Sequence, residues 1–156
     1  MPDALPTMSR HLCAAFAILS LIAAAAVGRP VQASAPAEYP LSSAFKACVM
    51  RSGGVTAVLK NCLAAEHRLR DRELNRTYKS VMKQLRTQAL RIRLRDSQRV
   101  WLRQRDQICQ LAVDKSGMDG GTGGALVFDD CQVQRLGERI LWLRKVPANP
   151  GYLTKV

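Results

Sequence analysis

The segment Ser97–Cys109, "SQRVWLRQRDQIC", places a tryptophan, an Arg-Asp pair and a cysteine within about three helical turns. Such a group is either a catalytic cluster or the inner face of a small helical protein. Its surroundings decide between the two. Upstream, Thr56 caps a stretch running to about Gln88 without Pro or Gly, in which Val58, Leu59, Cys62, Leu69, Leu74, Tyr78, Met82 and Leu85 mostly follow three-and-four spacing. The quoted segment belongs to a second stretch, Ala89 to Asp114, with Leu90, Leu94, Trp101, Ile108 and Leu111 on one stripe. If the two helices turn near Gln88 and lie antiparallel, Met82 meets Leu94, Tyr78 meets Gln98, Leu74 lies near Trp101 and Leu102, and Asp71 meets Arg105. A buried guanidinium needs a carboxylate of this kind, and Asp106, one step round the helix, is placed to hold Arg105 or a nearby backbone group. The polar residues of the segment therefore read as register pins of a helix pair, with Asp71–Arg105 the predicted cross-helix ion pair.

The flanks extend the helical pattern. "SSAFKACVMRS" makes a short helix, capped by Ser42 or Ser43 and stopped by Gly53-Gly54. "KSGMDGGTGG", Lys115 to Gly124, reads as a loop because so many glycines forfeit helix stability. A last helix, Leu126 to Lys145, carries Val127, Cys131, Leu136, Ile140, Leu141 and Leu143. No strand signal and no internal repeat is present. The expected fold is all-α: a long antiparallel helical hairpin with a short N-terminal and a C-terminal helix, over residues 42–146, followed by a tail over 147–156.

The first residues set the compartment. Arg10 and His11 precede an uncharged run, Leu12 to Gly28, and Val31 and Ala33 then occupy the −3 and −1 positions of a cleavage site. This is the plan of a secretory signal peptide over 1–33, followed by a flexible leader over 34–41. Cutting after Ala35 would set Pro36 beside the scissile bond. The rival, an uncleaved anchor, wants about 20 apolar residues, and this run is shorter and Ala-rich. The expected location is therefore periplasmic or secreted, with no transmembrane span after cleavage.

Cleavage after Ala33 removes Arg10, Arg29 and Asp3, taking the formal charge from +12 to +11. Four cysteines remain: Cys48, Cys62, Cys109 and Cys131. An even count in a small exported protein reads as two disulfides, whereas a zinc site usually shows a close pair such as C-x-x-C. In the hairpin register Cys62 faces residue 114, an offset that disfavours bonding to Cys109. Local pairing, Cys48–Cys62 and Cys109–Cys131, ties the short and the last helix to the hairpin, at about 3 kcal/mol each on the chain-entropy model.

"CLAAEHRLRDRELNRTYKSVMKQL" (Cys62 to Leu85) with "LRDSQRVWLRQRDQIC" (Leu94 to Cys109) resembles the lysozyme-inhibitor LprI-type N-terminal domain family. The matching motif positions are Cys48, Cys62, Asp71, Glu73, Leu74, Asn75, Tyr78, Gln98, Arg99, Trp101, Arg105, Asp106, Cys109 and Cys131. The resemblance spans about Phe45 to Lys145. It implies an exported helical protein and lysozyme as partner, through an inhibitor that occludes the enzyme and protects peptidoglycan. Animal lysozyme is itself strongly basic, so a chain near +11 meets it with long-range repulsion. Asp119, Asp129 and Asp130 are the acidic docking candidates; equally, Asp119 suits a turn and Asp129-Asp130 the first turn of the last helix.

Enzyme chemistry is not indicated. His67 is the only histidine after Ala33 and sits on an Arg-rich helix. No G-x-S-x-G, phosphate-binding glycine loop or paired-His metal motif occurs, so a non-enzyme without cofactor or metal is expected. The alternative to lysozyme binding is a basic envelope module for anionic polymers such as lipopolysaccharide or acidic glycans. Its carriers would be the ridge Arg91, Arg95, Arg99 and Arg103 and a second ridge, Arg68, Arg72, Arg76, Lys79 and Lys83; either can also be a plain solvated face. Nucleic acid fits the charge but conflicts with export.

Overall fold

The computed structural model describes residues 39–118 and 120–154. Four α-helices, α1 (Ser43–Arg51), α2 (Thr56–Gln84), α3 (Gln88–Ser116) and α4 (Gly121–Lys145), are followed by a 3-10 turn, Pro150–Thr154. No strand occurs among the described residues, and none of their helices is long and apolar enough to cross a membrane. The proposed signal segment lies outside the described residues.

Local chemistry sets the ends. Ser42 caps α1, its Oγ accepting from Phe45 N at 3.0 Å. Thr87 caps α3, its Oγ1 accepting from Leu90 N, so α2 and α3 are joined by the short turn Leu85–Thr87. Gly117 ends α3 at φ 66°, a left-handed conformation that suits a residue without Cβ.

The packing partner of both long helices is α4. It lies against α2 on one side and α3 on the other, while α2 and α3 share no extended contact. The core is Leu74, Val81 and Leu85 of α2 and its turn, Leu94 of α3, and Leu136, Ile140, Leu143 and Val146 of α4 and its end. Leu153 of the 3-10 turn completes it. The hairpin is thus opened around a wedge. A helix buried on two sides is apolar on more than one stripe, and α4 buries Val133, Leu136, Ile140 and Leu143 together with Gln132 and Arg139.

This wedge overturns the direct register. Asp71 does not reach Arg105: its carboxylate accepts from Asn75 one turn along its own helix, at 3.1 Å. Arg105 pairs with Asp106, the next residue, at 2.9 Å. The expected stripe of α3 also drifts. Ile108 and Leu111 are exposed, and the buried side passes through Ser97, Cys109 and Val113 instead.

The last helix begins at Gly121, five residues before the expected Leu126, and absorbs much of the predicted glycine loop. Asp129 and Asp130 are consequently well inside α4, beyond its first turn. The segment expected as a tail folds back onto α3 and buries Leu153.

The disulfides are Cys48–Cys62 and Cys109–Cys131, with Cα separations of 5.8 and 5.5 Å. They match the expected pairing, although the register that suggested it does not hold. One ties α1 to α2, the other α3 to α4.

A buried ion pair anchors the N-terminal side. Arg70 and Glu66, one turn apart on α2, have side chains 2% exposed each and meet at 2.9 Å. Glu66 also accepts from the Ser42 amide at 3.1 Å and the Ser42 hydroxyl at 2.5 Å. Arg70 donates to the Pro40 carbonyl at 2.8 Å and stacks over Tyr39, 4.4 Å from the ring centroid. The described end of the expected flexible leader is therefore held. Burial pushes the Glu66 carboxyl up, but the hydrogen bonds from Ser42 and Arg70 outweigh it and leave it below its ordinary 4.5. Glu73 adds a second tie, accepting from the Tyr39 hydroxyl at 2.5 Å and from Arg144 of α4 at 2.6 Å. Where α4 crosses this cluster it carries Gly137; a Cβ there would stand 2.6 Å from Arg70 Nη1 and from the Tyr39 Cβ.

Four outcomes follow for stability. Glu66→Ala strands a buried guanidinium and should cost about 3 kcal/mol in chemical denaturation; Asp71→Ala, which strands nothing, should stay within about 0.5 kcal/mol. Because the folded Glu66 value is lowered, its contribution is complete above about pH 4.5 and fades as pH falls through the folded value. Glu66→Gln should flatten that part of the acid limb. Gly137→Ala should destabilise by about 1–3 kcal/mol through overpacking, read as a lower denaturation midpoint with unchanged helicity.

Candidate binding face

The open hairpin leaves clefts along both sides of α4. The first lies between α2, α3 and α4, near the two disulfides. It has a volume of about 420 Å³ and is walled by Leu63, Ala64, His67, Phe128, Asp129 and Gln132 among others. Gln132 is 5% exposed and donates to Asp106 Oδ1 at 2.9 Å, leaving its Oε1 without a hydrogen-bond partner among the described residues. That donor bond, ahead of the pairing with Arg105 and against a smaller push from burial, lowers the Asp106 carboxyl. His67, expected at the surface, is half-buried at this cleft.

The second face lies between α3 and α4 and contains both tryptophans of the chain. Two adjoining clefts, of about 660 and 370 Å³, share Trp101, Gln104, Arg139 and Trp142. Arg139 is 7% exposed. Its Nε donates to Gln98 Oε1 and its Nη2 to Ser97 Oγ, both at 2.9 Å. The guanidinium carbon sits 3.9 Å from the Trp142 ring centroid and 5.6 Å from that of Trp101. Arg105 lies 5.4 Å from the Trp101 centroid. Aromatic contacts of this kind stabilise a cation without neutralising it. Among the described residues no carboxylate lies within ion-pair distance of Arg139. Burial lowers its pKa to about 10, opposed only by the nearby Tyr78 hydroxyl.

Several motif positions thus become intelligible. Leu74 is core; Tyr78 and Trp101 pack on its edge. Gln98 holds Arg139, Glu73 ties Tyr39 to Arg144, and Asp106 ties Arg105 to Gln132. Asn75 and Arg99 are exposed, the latter 3.8 Å from Asp96. These residues do not form one constellation; they are distributed over the contacts that hold three helices.

The other candidates separate. Asp119 lies outside the described residues. Asp129 lines the first cleft, whereas Asp130 does not: its carboxylate accepts from Gln134, and burial, outweighing that bond, raises its pKa. In the α3 ridge, Arg91 is half-buried and donates to the Met82 carbonyl, closing the hairpin turn. Arg95, Arg99 and Arg103 are exposed. So are Arg68, Arg72, Arg76, Lys79 and Lys83 of α2. No group of three or more His, Cys, Asp or Glu converges as a metal site among the described residues.

Arg139 and Gln132 are the functional candidates that sequence reasoning missed. Gln132 lies four residues before Leu136, and Arg139 three after Leu136 and four before Leu143, on the buried side of α4. For Arg139 the available signal was a charged residue on a core stripe with no acid one turn away.

No curated protein and no solved structure matches the chain. A family model described as lysozyme inhibitor LprI matches residues 48–143, a span running from the first disulfide cysteine to the buried Leu143 of α4. On that match, which covers most of the bundle, the chain belongs to the lysozyme inhibitor LprI family.

Proposed function

We propose that this protein is an exported lysozyme inhibitor, which binds lysozyme, occludes its cleft and so protects bacterial peptidoglycan. The observation that carries the reading is the family match over residues 48–143. The two disulfides support it, since such bonds persist in oxidising compartments outside the cytoplasm. The signal segment ending at Ala33 would deliver the chain there. The bundle is then a rigid platform, and rigid platforms lose little entropy on docking.

The competing reading, a basic module for anionic polymers, would use the exposed Arg95, Arg99 and Arg103 of α3 and the ridge of α2. The two differ in salt dependence. Polyanion binding weakens steeply as salt rises, because it works by long-range attraction. An inhibitor of a basic enzyme starts from repulsion, and salt screens repulsion.

A lysozyme turbidity assay with the purified mature protein decides between them. Inhibition should persist or strengthen between low and physiological salt, and should vanish once both disulfides are reduced. Absence of inhibition against every lysozyme class, together with salt-sensitive retention on anionic glycan or lipopolysaccharide, would replace this reading with the second.

A further inference from the structure

The two buried arginines of the bundle are treated differently. Arg70 has Glu66 beside it at 2.9 Å. Arg139, at 7% exposure, has among the described residues only the neutral oxygens of Gln98 and Ser97 and the faces of two indoles. Burying a charge without a counter-charge is costly, and removing one partner of such a pair is among the more damaging changes a core can suffer. The cost is tolerated at Arg139. Its third nitrogen, Nη1, makes no hydrogen bond among the described residues and is not one of their fully buried unpaired atoms, and Arg139 lines both clefts.

The rest of the cleft fits an acidic visitor. Gln104 lines both halves and offers a side-chain amide. The other charged groups facing the clefts are Arg93, Arg105 and Arg135 against Asp96 and Glu138. Glu138 is already paired with Arg135 at 2.7 Å, and Asp96 lies 3.8 Å from Arg99. With Arg139 the balance is positive. Exposed Ile108, 38% accessible, gives the rim an apolar shoulder beside the tryptophans. Tryptophan and arginine around a desolvated centre is the composition of an interface hot spot.

We propose that the Trp101–Arg139–Trp142 cleft is a carboxylate-binding site, and that its occupant is an acidic side chain from the catalytic cleft of lysozyme. The proposal rests on the lysozyme-inhibitor reading and names its contact. Glycoside hydrolases generally carry a pair of carboxylates flanking the scissile bond. In a basic enzyme that pair is the patch where a basic inhibitor finds attraction, so complementarity is local although the net charges repel. The partner carboxylate supplies the counter-charge that Arg139 lacks. Gln104 donates a second hydrogen bond, and the indoles exclude water from both.

The experiment uses two variants of the full mature protein and a small probe. Arg139→Gln removes the cation. Gln104→Glu instead places a carboxylate beside it at an exposed helical position, filling the site from within. Gln104→Glu should keep or raise the melting temperature while weakening lysozyme binding at least about tenfold; a purely structural Arg139 would give no such loss. Acetate, titrated against chloride at equal ionic strength, should change the tryptophan emission saturably in the wild type and in neither variant. A lysozyme whose two catalytic carboxylates are replaced by amides should bind the wild type at least about tenfold more weakly. Binding unaffected by Gln104→Glu, or equal binding of the amide-substituted lysozyme, overturns the proposal and leaves the inhibitor reading standing. A saturable acetate response without binding to any lysozyme overturns the occupant and the inhibitor reading together, leaving a carboxylate site. An acetate response equal to that of chloride overturns the site itself.

Discussion

The structure depends on α4 being buried on two sides at once. Helices α2 and α3 each offer a single apolar stripe, and neither stripe finds its partner in the other. Both close on α4, which enters the space between them through the turn after Gly117. Three consequences follow from that wedge. The cross-helix contacts of the bundle run from α4 outward, the hairpin is held open beside it, and the clefts lie along its flanks. The disulfides suit this arrangement. Cys109–Cys131 fixes the wedge to α3, and Cys48–Cys62 fixes α1, with the Ser42 cap, to α2. Without covalent ties a core of this size has little margin against chain entropy.

Much of this was legible in the chain. Periodicity located all four helices, the turn near Gln88 and the cap at Ser42, because the local signals are strong and contiguous; Thr56, expected as the cap of α2, is instead its first residue, after Val55 and with no side-chain cap. The disulfide pairing came out right because local partners are favoured, although the register used against Cys62–Cys109 does not hold. The packing of the hairpin was not. Stripes at three-and-four spacing say which face of a helix is buried, and nothing about what covers it. Consecutive helices joined by a short turn are usually neighbours, and here a third helix displaces that contact. The width of the apolar surface on α4, from Val127 through Leu143, was the contrary signal. Its glycines, Gly121, Gly123 and Gly124, masked the true start of the helix, since propensity alone reads them as loop. Packing overrode propensity there: Gly124 is buried, and a Cβ on it would lie 3.1 Å from Val113 of α3.

The site was less legible than the fold for a related reason. The residues that stand out in the sequence, "DRELN" and "QRVWLRQRD", turn out to maintain contacts between elements. Glu73, Gln98 and Asp106 each hold a side chain of another helix. The basic ridges stand out by repetition, yet Arg91 is spent on closing a turn. Arg139 does not stand out in "GERILWLRK", where it is one arginine among several. Only the lack of an ion-pair partner among the described residues, which is a property of the packed molecule, separates it from Arg135 and Arg144.

If the chain inhibits lysozyme as proposed, that difference also bears on how a basic chain would recognise a basic enzyme. Surface charge sets the approach, and with both partners positive it slows it. Surface charge does not set the bound state, where water is excluded and the effective dielectric is low. There a single well-placed guanidinium outweighs many distant solvated ones. The exposed arginines of α2 and α3 are screened beyond about 8 Å at physiological salt, whereas Arg139 is desolvated already in the free protein. Its desolvation has been met by folding, with Gln98, Ser97 and two indoles holding the group in place. A carboxylate arriving at such a site gains attraction without having to strip the arginine of water or order its side chain, which is how preorganisation converts folding energy into binding.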